Sequence, residues 1–361
     1  MGYSRFATPR AYTDILNYNL ANGWRDLDDY TVKDGSSDVS FISGNKEDLF
    51  DLKPHNFVTI ASTQTSFAVQ FDTGFGGNSL SQYNYLAILG HNFASANVVF
   101  NVQISDSSNF SGSTTNLIDG NGSGTGSGNL HTKIINAASY QYNDTYIDPA
   151  NNGWTLLTFP AQTNVDNQHL KITFSSLNSS NQISTSENYD ANVVIGSICY
   201  GEFISWPHPM DVNVTTAYDY DGTTLHNSVG GSTYASSPHY GAPSWAVTNP
   251  WTNTTTSNQN TYGFMKRYGR KKHSMKFSHM VDTDVFSADQ TADPGFFTGS
   301  DLHSQFYNKI IGQHIPFMWT LDETSTTPGD YSFYRLADSS FTARQVGSRV
   351  FDVSLDLIES W

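Results

Sequence analysis

Side chains that could carry out catalysis are present in this chain, but they are scattered along the sequence. A serine hydrolase holds its nucleophile beside a base, and no Gly-x-Ser-x-Gly turn occurs. The single cysteine, Cys199, lies in an apolar run, where a small buried hydrophobe is the simpler interpretation. The acid pairs Asp28–Asp29 and Asp219 with Asp221 are of the type that glycosidases use, although the glycine after Asp221 is typical of a turn. We therefore predict no enzymatic activity and no catalytic residue.

Metal and phosphate sites are not predicted either. The 11 histidines form neither His-Glu-x-x-His nor a Cys/His array, so the sequence does not indicate zinc. Asp219 and Asp221, in the stretch 219–222, could attract calcium, but the glutamate that completes an EF-hand loop does not follow them. The glycine-rich residues 120–128 match neither the dinucleotide-binding nor the P-loop pattern, and their composition is that of a flexible loop. We expect no cofactor and no metal.

Two neighbouring polar residues are the candidate glycan-binding site. His91 and Asn92 follow an apolar run that reads as a strand, and they stand at its turn. Their ring and amide groups could form hydrogen bonds with a sugar. The alternative is that the pair only completes the turn.

A dense basic run is the candidate subunit interface. Six of the 18 basic residues fall within residues 266–276. They are Lys266, Arg267, Arg270, Lys271, Lys272 and Lys276. The run could be a solvated edge strand that lysines keep from aggregating, a surface that docks onto an acidic neighbouring subunit, or a contact with DNA. Of the two functional interpretations we favour docking, because the remainder of the chain is acidic and head-to-tail pairing between copies would then be attractive; the solvated edge strand remains the simplest alternative.

The composition limits the class of protein. Only 14% of the residues are charged, against about 25% in typical soluble domains. The formal net charge of −15 argues against nucleic acid as the main partner. One cysteine excludes an internal disulfide framework. The sequence contains no apolar run of the roughly 20 residues that a membrane-spanning helix needs, and its N-terminus has no apolar signal region. We expect synthesis in a bacterial cytoplasm without secretion.

The first two hundred residues are rich in strand signals. Tyr12, Ile15, Leu16 and Leu20 have roughly helical spacing, so a short N-terminal helix or arm is expected. Short apolar or alternating runs then predict strands at residues 57–60, 67–71, 85–89, 98–104, 154–159, 170–174 and 193–200. Strands at this density without intervening helices indicate an antiparallel sandwich.

The last hundred residues predict a second β domain with one helix. Two prolines at 207 and 209 suggest a boundary. Leu302, Phe306 and Ile310 form a stripe that Asp301 could cap and Gly312 could end. Strands are expected at residues 272–277, 317–321, 331–336, 341–345 and 349–357. The predicted organisation is an N-terminal arm (1–49), a jelly-roll domain (50–206), an extended crossover or interface segment (207–260) and a C-terminal β-sandwich or barrel with the helix packed on it (261–361). The predicted fold class is all-β and mainly antiparallel.

Three stretches resemble structural proteins of tailed-bacteriophage particles. The first is residues 52–57 (LKPHNF) with 85–92 (YLAILGHN), which is similar to a strand and turn in discoidin-like or galactose-binding-like jelly rolls. The second is residues 195–198 (IGSI) through 201–203 (GEF), an exit strand before a proline-rich crossover. The third is residues 306–312 (FYNKIIG) with 316–319 (PFMW), 334–336 (YRL) and the final strand. This third stretch resembles the C-terminal half of distal-tail and minor-tail proteins.

The resemblance implies a role in a virion. The expected function is that of a tail or tail-tip protein that forms an oligomeric ring with copies of itself and other virion proteins. The jelly roll could also contact a host-surface glycan. A lectin-like adhesion module and a capsid-decorating protein remain the alternatives.

Overall fold

The computed structural model describes residues 7–73, 83–112, 114–118, 132–137, 146–160, 169–219, 224–236, 269–286 and 301–360. The glycine-rich residues 120–128, Asp221, Lys266 and Arg267 lie outside these ranges. The strands of the N-terminal half are β1 (Arg10–Asp14), β2 (Tyr30–Asp34), β3 (Ser37–Asp38), β4 (Phe41–Ser43), β5 (Val58–Ile60), β6 (Ser66–Asp72), β7 (Tyr85–His91), β8 (Val98–Ser105), β9 (Thr114–Asn116), β10 (Lys133–Ile135), β11 (Gly153–Thr158), β12 (His169–Leu177), β13 (Ile183–Ser184), β14 (Val193–Ile195) and β15 (Ser197–Ser205).

Eight further strands follow β15 among the described residues. They are β16 (Thr215–Asp219), β17 (Thr224–Asn227), β18 (Thr233–Ser236), β19 (Arg270–Val281), β20 (Phe317–Thr320), β21 (Tyr331–Leu336), β22 (Ala343–Gly347) and β23 (Val350–Glu359). The α-helices are α1 (Ile15–Ala21), α2 (Phe93–Ala96) and α3 (Asp282–Val285). A π-helix covers His303–Tyr307, and three 3₁₀-helices cover Leu27–Asp29, Lys46–Leu49 and Pro328–Asp330.

An 11-stranded sheet runs through both halves of the chain. Its order is β10-β11-β7-β15-β1-β20-β21-β23-β19-β16, with β22 paired to β23. A 7-stranded sheet has the order β3-β2-β6-β12-β8-β9, with β13 paired to β12. The strands β14, β5 and β4 form a small third sheet, and β17 pairs with β18 as a separate hairpin. All strand pairs among the described residues are antiparallel, so the predicted all-β class with sandwich architecture is confirmed.

The N-terminal half of the long sheet and the 7-stranded sheet share one hydrophobic core. We call it the sandwich core; its members include Val69, Phe71, Ile88, Phe100, Leu157, Phe174 and Ile198. The alternating burial of β6 shows why the pattern specifies a sandwich: Phe67, Val69 and Phe71 are buried and the residues between them are partly exposed. Successive side chains of a strand point to opposite faces, so one face meets the core.

A second core covers the other side of the long sheet. We call it the C-terminal core; its members include Tyr12, Tyr85, Leu89, Trp154, Trp206, Phe277, Phe306, Trp319 and Leu355. Every residue of β7 is buried because Leu86 and Ile88 belong to the sandwich core while Tyr85, Ala87 and Leu89 belong to the C-terminal core. A strand buried on both faces reads as a continuous apolar run, as β7 does.

The prediction of an N-terminal arm over residues 1–49 is wrong for its described part. The strand β1 lies inside the long sheet, with Ala11 opposite Ile204 of β15 on one side and opposite Trp319 of β20 on the other. The segment is held because both edges of β1 are hydrogen-bonded and Ala11 and Tyr12 are fully buried. The predicted short helix is present as α1, directly after this strand.

The apolar run 193–200 forms two strands instead of one. The strand β14 pairs with β5 in the small sheet, whereas β15 pairs with β7 and β1 in the long sheet. Gly196 separates them, and a Cβ there would lie 2.3 Å from the Pro54 carbonyl oxygen and 2.9 Å from the Leu89 carbonyl oxygen. Only glycine permits this close approach of three backbone segments, so the chain changes sheets at this position.

The described part of the predicted crossover adds regular structure. Residues 215–219 form β16, which extends the long sheet beyond β19, and residues 224–236 form the β17–β18 hairpin. The predicted apolar stripe is confirmed, because Leu302, Phe306 and Ile310 are all buried. Its backbone differs from the expected α-helix: the Asn308 amide donates to the His303 carbonyl, five residues back. The Ser304 amide donates to the Asp301 side chain at 2.9 Å, so the predicted cap is present.

Candidate interaction surfaces

The turn after β7 places the His91 ring in the interior. The ring is fully buried and stacks on Phe93 with 4.2 Å between ring centres. Its Nε2 lies 2.8 Å from Thr155 Oγ1 of β11. Burial lowers the pKa of His91 to about 3, so the ring is neutral at physiological pH. A sugar at the surface does not reach this side chain.

The Asn92 amide is used at both ends within the chain. Its Oδ1 accepts a hydrogen bond from the Val194 amide at 2.8 Å, and its Nδ2 donates to the Asn192 carbonyl at 2.7 Å. These bonds hold the turn against the start of β14. The geometry of His91 and Asn92 therefore favours the alternative in which the pair completes the turn, and glycan binding there stays an untested prediction.

The described part of the basic run lies on β19, which is an interior strand. It pairs with β23 on one side and with β16 on the other, so the solvated-edge interpretation is wrong. Lys272 Nζ lies 2.6 Å from Asp219 Oδ2 of β16, and Lys276 Nζ lies 2.6 Å from Asp352 Oδ2 of β23. These lysines are paired with acids on adjacent strands of the same chain. Docking of this run onto an acidic neighbour thus competes with internal ion pairs.

The N-terminal end of β19 also contributes to a buried polar cluster. The Lys271 amide donates to Glu359 Oε2 at 2.9 Å, and its Nζ donates to Ser332 Oγ at 3.2 Å. Burial raises the pKa of Glu359. A serine beside a lysine is one known nucleophile–base arrangement, but Ser332 is only 1% exposed. Its hydroxyl is closed to substrate, so this cluster is structural.

A second charged cluster ties the loop before β21 to the long sheet. Arg10 Nη2 lies 2.8 Å from Glu323 Oε2, which also accepts from Ser205 Oγ at 2.5 Å. Lys133 Nζ of β10 donates to the carbonyls of Glu323 and Ser325, at 2.5 and 3.0 Å. Burial lowers the pKa of Lys133. These hydrogen bonds and this ion pair hold residues 322–331 against β1 and β10.

The other candidate catalytic residues are either part of local structure or buried. Asp29 accepts from the Asp26 amide in a capping box, and Asp28 stands in the first turn of that 3₁₀-helix. Cys199 is buried, and burial raises the pKa of its thiol well above the usual value, which leaves it a poor nucleophile. Among the described residues, no group of three or more His, Cys, Asp and Glu side chains is placed to hold a metal ion.

A group of exposed apolar side chains on and near β16, β17 and β18 was missed by sequence reasoning. We call it the β16–β18 group; it comprises Val212, Tyr218, Leu225, Val229 and Tyr234. These are five of the eight large hydrophobic residues that are exposed in the described chain. Leu225 and Tyr234, on the two strands of the hairpin, are 67% and 62% exposed. Hydrogen bonds within the hairpin include that from Thr233 Oγ1 to Asn227 Oδ1 and that from the Ser232 amide to Ser228 Oγ.

The structure defines the chain as an antiparallel β-sandwich protein with two cores on one long sheet. Comparison with protein-family models, with curated proteins and with solved structures finds no match to this chain. In the part of the chain that the structure describes, no helix is both long and apolar enough to cross a membrane.

Proposed function

We propose that this chain is a non-enzymatic structural subunit of a tailed-phage particle, most simply a tail or tail-tip protein that acts by assembling with other subunits. The β16–β18 group is the observation that carries this proposal. Burial of exposed apolar side chains against a partner is favourable, and an isolated two-stranded hairpin is at best marginally stable in water. A hairpin of this kind becomes well ordered when a partner covers it.

The polar clusters support an assembly role over catalysis. Ser332 with Lys271 is one pair of the nucleophile-and-base type among the described residues, and its hydroxyl is buried. Both cores are dense with aromatic contacts, such as Phe67 on Phe174 and Trp206 on Trp319. A densely packed protein with exposed apolar side chains among its described residues is suited to assembly with other subunits. The sequence resemblance to tail proteins supplies the kind of particle.

The test is the location and copy number of the chain in purified particles. Quantitative mass spectrometry and labelling with an antibody against the chain should place a fixed multiple of copies at the tail. A copy number that matches the number of capsid lattice sites would contradict this proposal and support capsid decoration. A chain that is absent from particles but binds glycans on an array would support the lectin-like alternative. Turnover of host envelope polysaccharide or peptidoglycan by the purified protein would contradict the non-enzymatic role.

A further inference from the structure

We propose that the space between β15 and β20 is a sequence-specific binding site for an extended peptide, which the chain fills with its own strand β1. We call it the β1 site. Among the described strands, β1 alone is hydrogen-bonded both to the set β10-β11-β7-β15 and to the set β20-β21-β23-β19-β16. Every residue of β20 is buried, so its backbone groups would have no partner if the site were empty. The inference does not depend on the proposed assembly role.

Both edges of the β1 site pair with the segment in a fixed register. Residues 10–14 lie antiparallel to residues 201–205 of β15, and residues 10–12 lie antiparallel to residues 318–320 of β20. The chain stays bound before the strand begins, because the Trp206 amide donates to the Pro9 carbonyl at 3.0 Å. Recognition by strand addition takes its affinity from such backbone bonds and its specificity from the side chains.

The first position of β1 selects arginine. Arg10 Nη2 lies 2.8 Å from Glu323 Oε2, and Arg10 Nε donates to Ser205 Oγ at 2.9 Å. The guanidinium carbon lies 4.1 Å from the centre of the Phe203 ring. A planar guanidinium offers donors to two oxygen partners and a face to an aromatic ring, whereas a lysine offers one donor nitrogen. Arginine is therefore the residue that satisfies all three contacts.

The next two positions select by size and by the presence of a ring. Ala11 is fully buried and lies opposite Ile204 on one side and Trp319 on the other, both of them buried as well. A larger side chain would overpack this position. Tyr12 is also fully buried, and its ring centre lies 5.3 Å from that of Tyr85 in an edge-to-face arrangement. Such aromatic pairs are favourable beyond the area that they bury.

The last two positions of β1 are bound through hydrogen bonds. Thr13 Oγ1 donates to the Glu202 carbonyl at 3.0 Å, and Asp14 Oδ1 accepts from the Tyr200 amide at 3.1 Å. Gly201 leaves room for the segment, since a Cβ there would lie 2.2 Å from the Thr13 carbonyl oxygen. The ligand of the β1 site is thus an extended peptide with arginine, a small residue, an aromatic residue, threonine and aspartate in succession.

The experiment cuts the full chain after it has folded. A protease recognition sequence is inserted between Asn22 and Gly23, which are both exposed and follow α1. The uncut protein with this insertion is the folding control. After cleavage, residues 1–22 should remain bound in size-exclusion chromatography, because the contacts of β1 do not need the covalent link. In urea below the unfolding transition, an excess of a fluorescent peptide of residues 7–22 should replace the fragment and elute with the protein.

Peptides with one substitution test whether the site reads the sequence. Ala11→Leu should weaken binding of the fluorescent peptide by at least about tenfold because it overpacks the site. Arg10→Gln should weaken it by about tenfold because it removes a charged hydrogen-bonding group. Ala21→Ser is the matched control, because Ala21 is exposed, and it should bind like the unmodified peptide.

Three results would overturn the inference. They are release of the fragment on cleavage, failure of the unmodified peptide to replace it, and equal binding of the Ala11→Leu peptide. Each concerns the isolated protein, so the location of the chain in particles tests the proposed function separately.

Discussion

The sandwich core and the C-terminal core lie on opposite sides of the same strands but are built differently. The sandwich core consists of aliphatic and phenyl side chains that alternate along regular strands, such as Val69, Ile172 and Phe174. The C-terminal core contains Trp206 and Trp319, whose buried indole nitrogens have no hydrogen-bond partner among the described residues, and it includes the irregular π-helical segment. The difference teaches that one sheet can carry two kinds of core. On one side the core follows from the alternation of apolar residues along each strand, and on the other it depends on contacts between residues that are far apart in the sequence.

Shared strands should make the two cores unfold together. The strands β7, β11 and β15 supply Ile88, Leu157 and Ile198 to the sandwich core and Leu89, Leu156 and Cys199 to the C-terminal core. Loss of either core exposes one face of these strands. The sequence prediction of a domain boundary near residue 207 implies the opposite, two units that unfold separately.

Truncation of one phenylalanine in each core is the strongest test of this comparison. Phe306 is 1% exposed and lies 4.9 Å from the Phe317 ring, and Phe174 is fully buried and stacks on Phe67 at 4.7 Å. Phe306→Ala and Phe174→Ala should each lower the free energy of unfolding by about 3–5 kcal/mol. Calorimetry should show one transition, shifted downwards, in both variants. Two transitions, of which Phe306→Ala moves only one, would establish a boundary near residue 207.

The buried ion pair of Lys309 and Glu202 connects the helical segment to a shared strand. The two side chains are in contact and are 7% and 12% exposed. Removing one partner leaves the other charge buried, so Lys309→Met should lower the free energy of unfolding by about 3 kcal/mol or more. The double variant Lys309→Met with Glu202→Leu should recover part of this loss in urea denaturation. Equal stability of the single variant and the unmodified chain would show that the C-terminal core does not depend on this link.

Acid should destabilise both cores through one histidine each. Burial lowers the pKa of His91 to about 3, and burial followed by the Lys271 charge lowers that of His273 to about 4. Both rings fold in the neutral form, so their contribution to stability is present above pH 6.5 and is lost as the pH falls towards these values. Between pH 7 and pH 5 each histidine should account for about 2 kcal/mol of lost stability. His91→Gln and His273→Gln should each remove the contribution of one histidine to the pH dependence of the free energy of unfolding.

A buried carboxylate works against this loss. Asp14 caps α1 and accepts from the Tyr200 amide at 3.1 Å, and burial raises its pKa to about 6 from 3.8. Its contribution to stability is full below pH 3.8 and is lost as the pH rises through 6. Through this carboxyl group, acidification from pH 7 to 5 should therefore increase the free energy of unfolding by about 1 kcal/mol. In Asp14→Asn the net loss of stability over this range should be larger than in the unmodified chain, whereas an unchanged slope would contradict the raised pKa.

The two cores also differ in how much of them the sequence could predict. The strands β6, β7 and β12 were predicted because their apolar patterns are local. The strand β1 was missed because its partners, Ile204 and Trp319, lie about two hundred and three hundred positions further along the chain. The β16–β18 group was missed because the composition around it is polar and without periodicity. The ion pair of Lys272 with Asp219 depends on a cross-strand register that composition cannot reveal.

The smallest expected effect comes from comparing substitutions on the two faces of β19. Met275 and Phe277 point into the C-terminal core, whereas Lys272 pairs with Asp219 on the outside, where the two side chains are 43% and 46% exposed. Exposed ion pairs contribute at most about 1 kcal/mol, so Lys272→Ser should change the free energy of unfolding by no more than that. Met275→Ala, three residues away, should cost about 2–5 kcal/mol because it opens a cavity. Self-association of Lys272→Ser should match that of the unmodified chain in sedimentation equilibrium at low and high salt. A marked loss of association in this variant, with its folding intact, would support the basic run as a subunit interface. It would also mean that the exposed face of β19 binds another subunit.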